Sequence, residues 1–488
     1  MYNINSYRKF IQKDHKPDSS GEYVIYWMQI NCRLSYNFAL EYAVHWANKL
    51  GKPLLIYEYL QCDYPWATQR FHKFMMEGMT EHHEILTKAE CNYYGFLEDH
   101  PGTGKRVLKG LCDKACFIVS DEYPVHQIRN RNVEFAEEVN IPFHTVDSNG
   151  MIPLGVTEKA PYSAYLFRKI MQKNFIEAYL NPPLEYPLEN LKNISKLQLS
   201  KILSINLLTA GVSLNQYSEI ADRLTFNNNV KPVEIKGTRQ SGLKRLDSFL
   251  QSDLLHYGIE TNHPDKEHTS RLSPWLHFGK ISEFEIVKKT LDQQPPGWDL
   301  QIIKPVNGKR EGFFQGYKYV ESFLDQVITW REVGFHFSHH VSNYDAYESL
   351  PDWVLQTLEK HAVDERPQYY SFDELNKAQT ADPLWNAAQR ELVREGRINN
   401  YLRMLWGKKV IEWTSHPRTA LSYLIQLNDQ YAMDGRDPNS YCGIMWIFGR
   451  FDRPWPERPI FGKVRYMSSS NTRKKVQLRQ YLKKYASF

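Results

Sequence analysis

A change of hydrophobic period partway along the chain restricts its fold more than any other feature. Near the N-terminus, short apolar runs alternate with segments whose apolar residues recur every four positions. Tyr23-Val24-Ile25-Tyr26-Trp27-Met28 reads as a buried strand. Leu34, Phe38, Tyr42, Trp46 and Leu50 then fall four apart, with Ala39, Ala43 and Ala47 beside them, which predicts a helix. Gly51-Lys52-Pro53 ends that helix, and 53–57 opens a second strand. The same pattern predicts helices over 69–88 and 125–139 and strands over 115–119 and 141–146. Strands separated by helix-length segments need crossover connections, so the expected sheet is parallel and covered by helices.

Beyond residue 236 the strand-like runs stop. Helical patterns cover 243–255, 284–291, 320–337, 351–360, 384–395, 398–413 and 418–430. A chain of 488 residues exceeds what one core usually serves. The expected division is a loose N-terminus (1–20), an α/β domain (21–175), a linker (176–235) and an almost all-helical domain (236–488) ending in a basic tail. Pro182-Pro183, Pro187 and Asn227-Asn228-Asn229 mark the linker. A second break, 293–318, is rich in Pro and Gly and reads as a long surface loop.

Composition removes several classes of function. No apolar run approaches the ~18 residues of a membrane span, and residues 1–20 lack the apolar core of a signal peptide. A cytoplasmic (or nuclear) protein is therefore expected. The six cysteines are sparse, and Cys112 and Cys116 have no second pair to complete a zinc site. His336, His339 and His340 also lack a ligand partner at a metal-site spacing, so no metal is expected. Gly102-Thr103-Gly104-Lys105 fails as a phosphate loop, because Asp99 replaces its first glycine and Arg106 its Ser or Thr. No G-x-G-x-x-G follows the first strand. The net charge of +5 is uneven: from Arg458 to Phe488 there are nine Lys or Arg and no acid, which suits an anionic partner such as a phosphate backbone. Nine of the twelve Trp lie after residue 274, on the helical side.

Three segments of that half could carry chemistry. Thr269-Ser270-Arg271-Leu272-Ser273-Pro274-Trp275 places hydroxyls ahead of a helix start, where a phosphate can bind. Asp434-Gly435-Arg436-Asp437-Pro438-Asn439 is a tight polar turn. Trp406 and Trp413 are seven apart, on one helical face. Each alone has an ordinary explanation: a helix cap, a turn and core packing.

Taken in order, these segments resemble the photolyase/cryptochrome family, and within it the class II cyclobutane pyrimidine dimer type. The similarity runs through Tyr26-Trp27-Met28-Gln29 and Arg33, Leu272 to Gly279, Trp330-Arg331-Glu332, Asp382 to Gln389, Arg403-Met404-Leu405-Trp406, Leu427-Asn428-Asp429, Asp434 to Asn439 and Phe461 to Met467. It implies the photolyase fold: an α/β Rossmann-like parallel-sheet domain that can hold an antenna pigment, here a deazaflavin or none, and an all-α domain holding FAD. By the same resemblance Tyr257, Thr269, Ser270, Arg271, Leu272 and Ser273 hold the FAD phosphates and ribityl chain, and Arg403 and Asp434 pair beside the flavin ring. Asn428 faces flavin N5, with Asn439 as the alternative; Trp406, Trp385 and Trp413 form the electron relay. Trp330, Trp446 and Met404 line the cavity for a flipped dimer in double-stranded DNA, and the protein acts as a monomer. The implied activity is blue-light-driven DNA repair as a carbon–carbon lyase.

The substrate side departs from the family pattern. Gln326 stands where a Glu is usual, four residues before Trp330. Gln keeps the hydrogen bonds but loses the charge and the acid. Thr261 replaces an expected Arg, a His is missing after Trp446, and the 293–318 loop is longer than the family's. Three functions stay open: repair of cyclobutane dimers, repair of another lesion such as a (6-4) photoproduct, and a cryptochrome-like photoreceptor.

Overall fold

The computed structural model describes residues 4–208 and 230–487. The asparagine run at 227–229 lies outside the described residues. By contact the chain divides into two units, neither contiguous in sequence. One comprises Met1–Val156, Glu177–Arg245 and Pro274–Lys288; the other comprises Thr157–Ile176, Leu246–Ser273 and Lys289–Phe488.

The first unit is built on six strands, β1 (Lys9–Lys13), β2 (Tyr23–Met28), β3 (Leu54–Leu60), β4 (Asn92–Leu97), β5 (Ala115–Asp121) and β6 (Phe143–Val146). Between them lie α1 (Phe38–Leu50), α2 (Gln69–Lys88), α3 (Thr103–Cys112) and α4 (His126–Glu138). The strand order is β1-β6-β5-β2-β3-β4; β1 is antiparallel to β6, and every other pair is parallel. β2 and β5 are buried at every position, as central strands of a parallel sheet must be when helices cover both faces. α1 starts at 38 rather than 34 because Asn37 caps it, accepting from the N–H groups of Ala39 and Leu40; Gly51 ends it with φ +66°.

Three elements escape the hydrophobic pattern. The N-terminal twenty residues, expected to be loose, contain β1 on the sheet edge. Its sequence, Lys-Phe-Ile-Gln-Lys, sets its two apolar residues side by side and leaves every position at least partly exposed, so no apolar alternation announces it. Arg8 before it is buried, donates to the carbonyls of Asp147, Gly150 and Met151, and lies 4.4 Å over the ring of Phe38. β4 is the opposite edge. α3 begins at Gly102 (φ +77°), and Lys105 forms a 2.6 Å ion pair with Glu138 instead of facing a phosphate.

The strand order reverses between β2 and β5, where open α/β sheets place ligands at the carboxyl ends. There Asp121 accepts hydrogen bonds from the backbone N–H groups of Gln29, Ile30 and Asn31 at 2.8, 2.9 and 3.1 Å and from the Tyr26 hydroxyl at 2.8 Å.

The second unit contains α5 (Ala164–Leu180) as far as Ile176, and α6 (Lys318–Leu324), α7 (Arg331–His340), α8 (Asp352–Lys360), α9 (Pro383–Glu395), α10 (Asn400–Trp413), α11 (Pro417–Tyr431), α12 (Pro438–Ile447), α13 (Ser469–Lys475) and α14 (Arg479–Lys484). None of its described residues belongs to a named strand. The helix expected over 320–337 is interrupted: Asp325–Trp330 forms a π-helical turn between α6 and α7. Gly334 lets α7 approach α12 closely, since a Cβ there would sit 2.7 Å from the Cα of Asn439.

The 293–318 segment is an ordered lobe. The carboxylate of Glu321 accepts the backbone N–H groups of Gly312, Phe313 and Phe314 at 2.8, 2.7 and 3.1 Å. The Gln172 side chain accepts from Val306 and Gly308 N–H and donates to the Lys309 carbonyl. Phe313 and Phe314 meet Phe175 edge-on, with ring centroids 5.7 and 5.1 Å from it.

Candidate functional site

All the site residues expected from the sequence lie in the second unit. α10 carries Arg403, Met404, Trp406 and Trp413. Asn399 caps α10, accepting from Tyr401 N–H, and donates through Nδ2 to the carbonyl of Thr261 at 3.2 Å. That bond ties the Thr261 turn to the start of α10.

The three expected relay residues touch. Trp385 on α9 stacks on Trp406 with centroids 6.5 Å apart and planes 7° from parallel, and meets Trp413 edge-on at 5.6 Å. All three are buried. The indole N–H of Trp385 donates to the Trp406 carbonyl and that of Trp406 to Gln389, both at 2.9 Å.

Arg403 and Asp434 form the expected pair, Nη2 to Oδ1 at 3.2 Å, and both are half-buried. Asn428 is buried, and its Nδ2 donates to Asp429, to the Gly435 carbonyl and to Ser440 at 3.0, 2.8 and 2.9 Å. The Gly435 carbonyl can only accept, so it fixes which end of the amide points there. Oδ1 of Asn428 makes no hydrogen bond among the described residues. Asn439, the alternative, is exposed at the start of α12. Burial pushes the Asp429 carboxyl up to about 7, against the lowering effect of hydrogen bonds from Tyr441 and Asn428.

The cofactor loop is laid out less evenly. Tyr257 is half-buried, edge-on to Phe249 and Phe323, and burial raises its hydroxyl pKa. Thr269 and Ser270 are half-buried and Ser273 is exposed. Arg271 has φ +55° and pairs with Glu267, yet its Nε is buried with no hydrogen-bond partner among the described residues. The Leu272 side chain packs into the interior, at 1% exposure.

Trp330 and Trp446 stack on each other with centroids 4.5 Å apart and planes 17° from parallel. No base fits between rings at that spacing, and the two indoles stand together as one aromatic wall. Gln326, on the π-turn, is half-buried, and its side chain makes no hydrogen bond among the described residues. Met404 is half-buried on α10.

The sequence reading missed what holds the wall. Asp325 accepts the Trp330 indole N–H at 3.0 Å and binds Arg168 through two bonds of 2.7 and 2.9 Å. The guanidinium of Arg168 lies 5.3 Å over the Trp330 ring. An Asp five residues before a Trp gives no helical-face signal, and Arg168 is 157 residues away. The histidines assigned no metal role share a hydroxyl: Thr157 Oγ1 lies 2.9 Å from His336 and 2.8 Å from His340. Elsewhere His268 bridges Asp253 and Glu260 beside His256, a cluster in which Lys266 already lies 3.7 Å from Glu260. All six cysteines are free. Among the described residues no helix is long and apolar enough to cross a membrane.

No family model matches the chain. Curated relatives do. The deoxyribodipyrimidine photo-lyase of Methanothermobacter thermautotrophicus is 32% identical over 468 residues, covering 96% of this chain and 95% of that protein. Those of Potorous tridactylus and Arabidopsis thaliana are 33% and 31% identical, covering 99% and 94% of this chain and 85% and 88% of theirs. Among solved structures, a class III photolyase from Agrobacterium tumefaciens superposes with a TM-score of 0.68 at 17% identity, covering 95% of this chain and 86% of its own. An archaeal photolyase from Sulfolobus tokodaii, solved with two FAD molecules, gives 0.62 at 15%, covering 95% and 90%. These two share the fold, and the curated relatives share sequence along nearly the whole length: the chain belongs to the photolyase/cryptochrome family.

Proposed function

We propose that the protein is a light-driven, FAD-dependent DNA photolyase that splits UV-induced pyrimidine dimers. The observation that carries this reading is α10. About three turns of one helix present Arg403, Met404, Trp406 and Trp413, so the cofactor pair, the substrate cavity and the relay share one rigid support.

The residues fit FAD. A buried guanidinium nitrogen without an acceptor, on Arg271, sits in the segment where a pyrophosphate is expected. Arg271, Thr269, Ser270, Ser273 and Tyr257 would hold the phosphates and ribityl chain, and Arg403 with Asp434 the flavin ring. Asn428, its Nδ2 committed to the protein, offers Oδ1 as an acceptor at N5. The chemistry that reduced FAD would supply there is a light-driven electron, lent to the dimer to open its ring and then returned. Trp413, Trp385 and Trp406 stand in ring contact, and an indole can lose an electron transiently, so the series can carry one toward the cofactor.

Trp330 is covered by Trp446 and by Arg168, so an extruded base would stack on the side of Trp446 turned away from Trp330, worth ~1–3 kcal/mol per stacked base. Gln326 can donate to a pyrimidine carbonyl without carrying charge. The α/β unit is the antenna domain in this reading, with a deazaflavin or nothing at its switch point.

The test is to irradiate the reduced holoprotein with duplexes carrying one cyclobutane dimer or one (6-4) photoproduct, and to measure restored bases. Light-dependent turnover of one lesion is expected. No turnover of either, with flavin photoreduction intact, would overturn the repair reading in favour of a photoreceptor.

A further inference from the structure

The lobe over 293–318 is the largest element that the repair reading leaves without a task. It meets the aromatic wall through one contact. Arg310, 58% exposed, places Nε 3.5 Å from Oδ2 of Asp325, the same oxygen that accepts the Trp330 indole N–H. We propose that Arg310 binds a phosphate of the lesion-bearing strand, and that the lobe is a DNA-backbone contact flanking the Trp330–Trp446 wall. This rests on the reading of the protein as a lesion-binding photolyase.

Charge counting at Asp325 supports the assignment. Arg168 already neutralises the carboxylate through two bonds of 2.7 and 2.9 Å in a buried setting. Arg310 is a second guanidinium on a single negative charge. Its exposed contact at 3.5 Å is long and weak, as solvent-screened pairs are. One positive charge therefore remains unmatched beside the wall. Only the 3.0 and 3.5 Å contacts through Asp325 separate the indole edge of Trp330 from Arg310, and a base held against the Trp330–Trp446 pair carries its phosphates within one nucleotide's length.

The surroundings share its sign. Lys304 and Lys309 on the lobe are exposed and form no ion pair among the described residues. A groove of about 430 Å³ between α5 and the lobe adds Lys169 and Lys173. The lobe's acids are Asp299, which caps a short turn through Gln301 N–H, and Glu311. The bonds from Glu321 and Gln172 hold the lobe's backbone, so Arg310 is presented from a fixed support. A planar guanidinium suits a phosphate, which it can grip through two N–H groups.

The experiment compares full-length holoprotein with Arg310→Ala and Arg310→Lys variants. Binding to a duplex carrying one cyclobutane dimer, and to the undamaged duplex, is followed by fluorescence anisotropy across a salt series. Arg310→Ala should weaken binding to the dimer duplex by about 5–10-fold and reduce the slope of log K against log salt by about one. Arg310→Lys should keep the slope and lose part of the affinity. A purely structural role would not move the slope. Wild-type affinity and slope in Arg310→Ala would overturn this inference and leave the repair reading standing. A wild-type protein that does not prefer the dimer duplex would overturn both.

Discussion

Asp429 lies fully buried between Asn428 and Tyr441 and accepts a hydrogen bond from each. Its pKa is pushed up to about 7, burial being the largest cause. Unfolded, the same group titrates near ~4. The folded state therefore holds this proton more tightly. The stability it contributes is whole below about pH 4 and is lost as pH rises through 7. Asp429→Asn removes the titration, so thermal unfolding of variant and wild type should differ in the variant's favour increasingly from pH 5 to pH 8. A gap independent of pH would contradict the assignment. Gln326 makes the opposite trade, presenting a neutral amide where the family pattern has a carboxyl. If the cavity is a weakened cyclobutane-dimer site, Gln326→Glu should raise repair by roughly 3–10-fold, the worth of one stronger hydrogen bond of ~1 kcal/mol. Unchanged repair would mean that the position does not meet the lesion. Asn428 and Gln326 were legible as candidates by motif, Asp429 only as a member of the matched run Leu427-Asn428-Asp429. The direction of the Asn428 amide was not, because the Gly435 carbonyl and Ser440 that set it come from the following turn.

At the scale of elements, helices with regular apolar spacing emerge close to their expected bounds: 384–395 is Pro383–Glu395 and 398–413 is Asn400–Trp413. The π-turn at Asp325–Trp330 was invisible, because one irregular turn hardly disturbs a 3.6-residue pattern. Yet that turn carries Gln326 and aims Trp330, and such bulges cluster at functional sites. The three indoles in contact predict a separable defect if they carry electrons to the flavin. Trp385 is fully buried and links the other two indoles, so Trp385→Phe should abolish photoreduction of the oxidised flavin. Repair by chemically reduced protein should survive, measured as product per flash. Loss of both activities would point to collapse of the α9–α10 packing instead. The lobe makes its own prediction. Glu321→Gln leaves one acceptor oxygen for three backbone N–H groups, at a cost of ~1–3 kcal/mol. Hydrogen exchange over 300–316 should accelerate about 10-fold or more, and unchanged exchange would show that the lobe is held elsewhere.

At the scale of the whole molecule, the basic C-terminus illustrates the limit of charge reading. α13 and α14 fold back toward α9, where Lys484 pairs with Glu395 at 2.8 Å and Tyr481 donates to Glu391. Arg390 and Arg394 bind the carbonyls of Tyr485, Ala486, Lys484 and Ser487. Burial raises Glu395, but Lys484 and Tyr485 outweigh it and hold the carboxyl down to about 2. Deleting 476–488 therefore removes two buried tyrosines, Tyr481 and Tyr485, roughly 3–6 kcal/mol of burial. Tm should fall by about 10 °C; a loss of DNA affinity with unchanged Tm would restore the view of a free basic tail. By itself the sequence determined the parallel α/β half, the helical half and the family, because strand and helix periods and short motifs are local properties. It also named the three touching indoles and the Arg403–Asp434 pair. Only the tertiary structure decided that β1 and β4 edge the sheet, that Trp330 and Trp446 close into one wall, and that Arg168, Arg310 and Asp325 brace it. Those outcomes depend on contacts between residues up to 157 positions apart, for which no local pattern of hydrophobicity or charge exists.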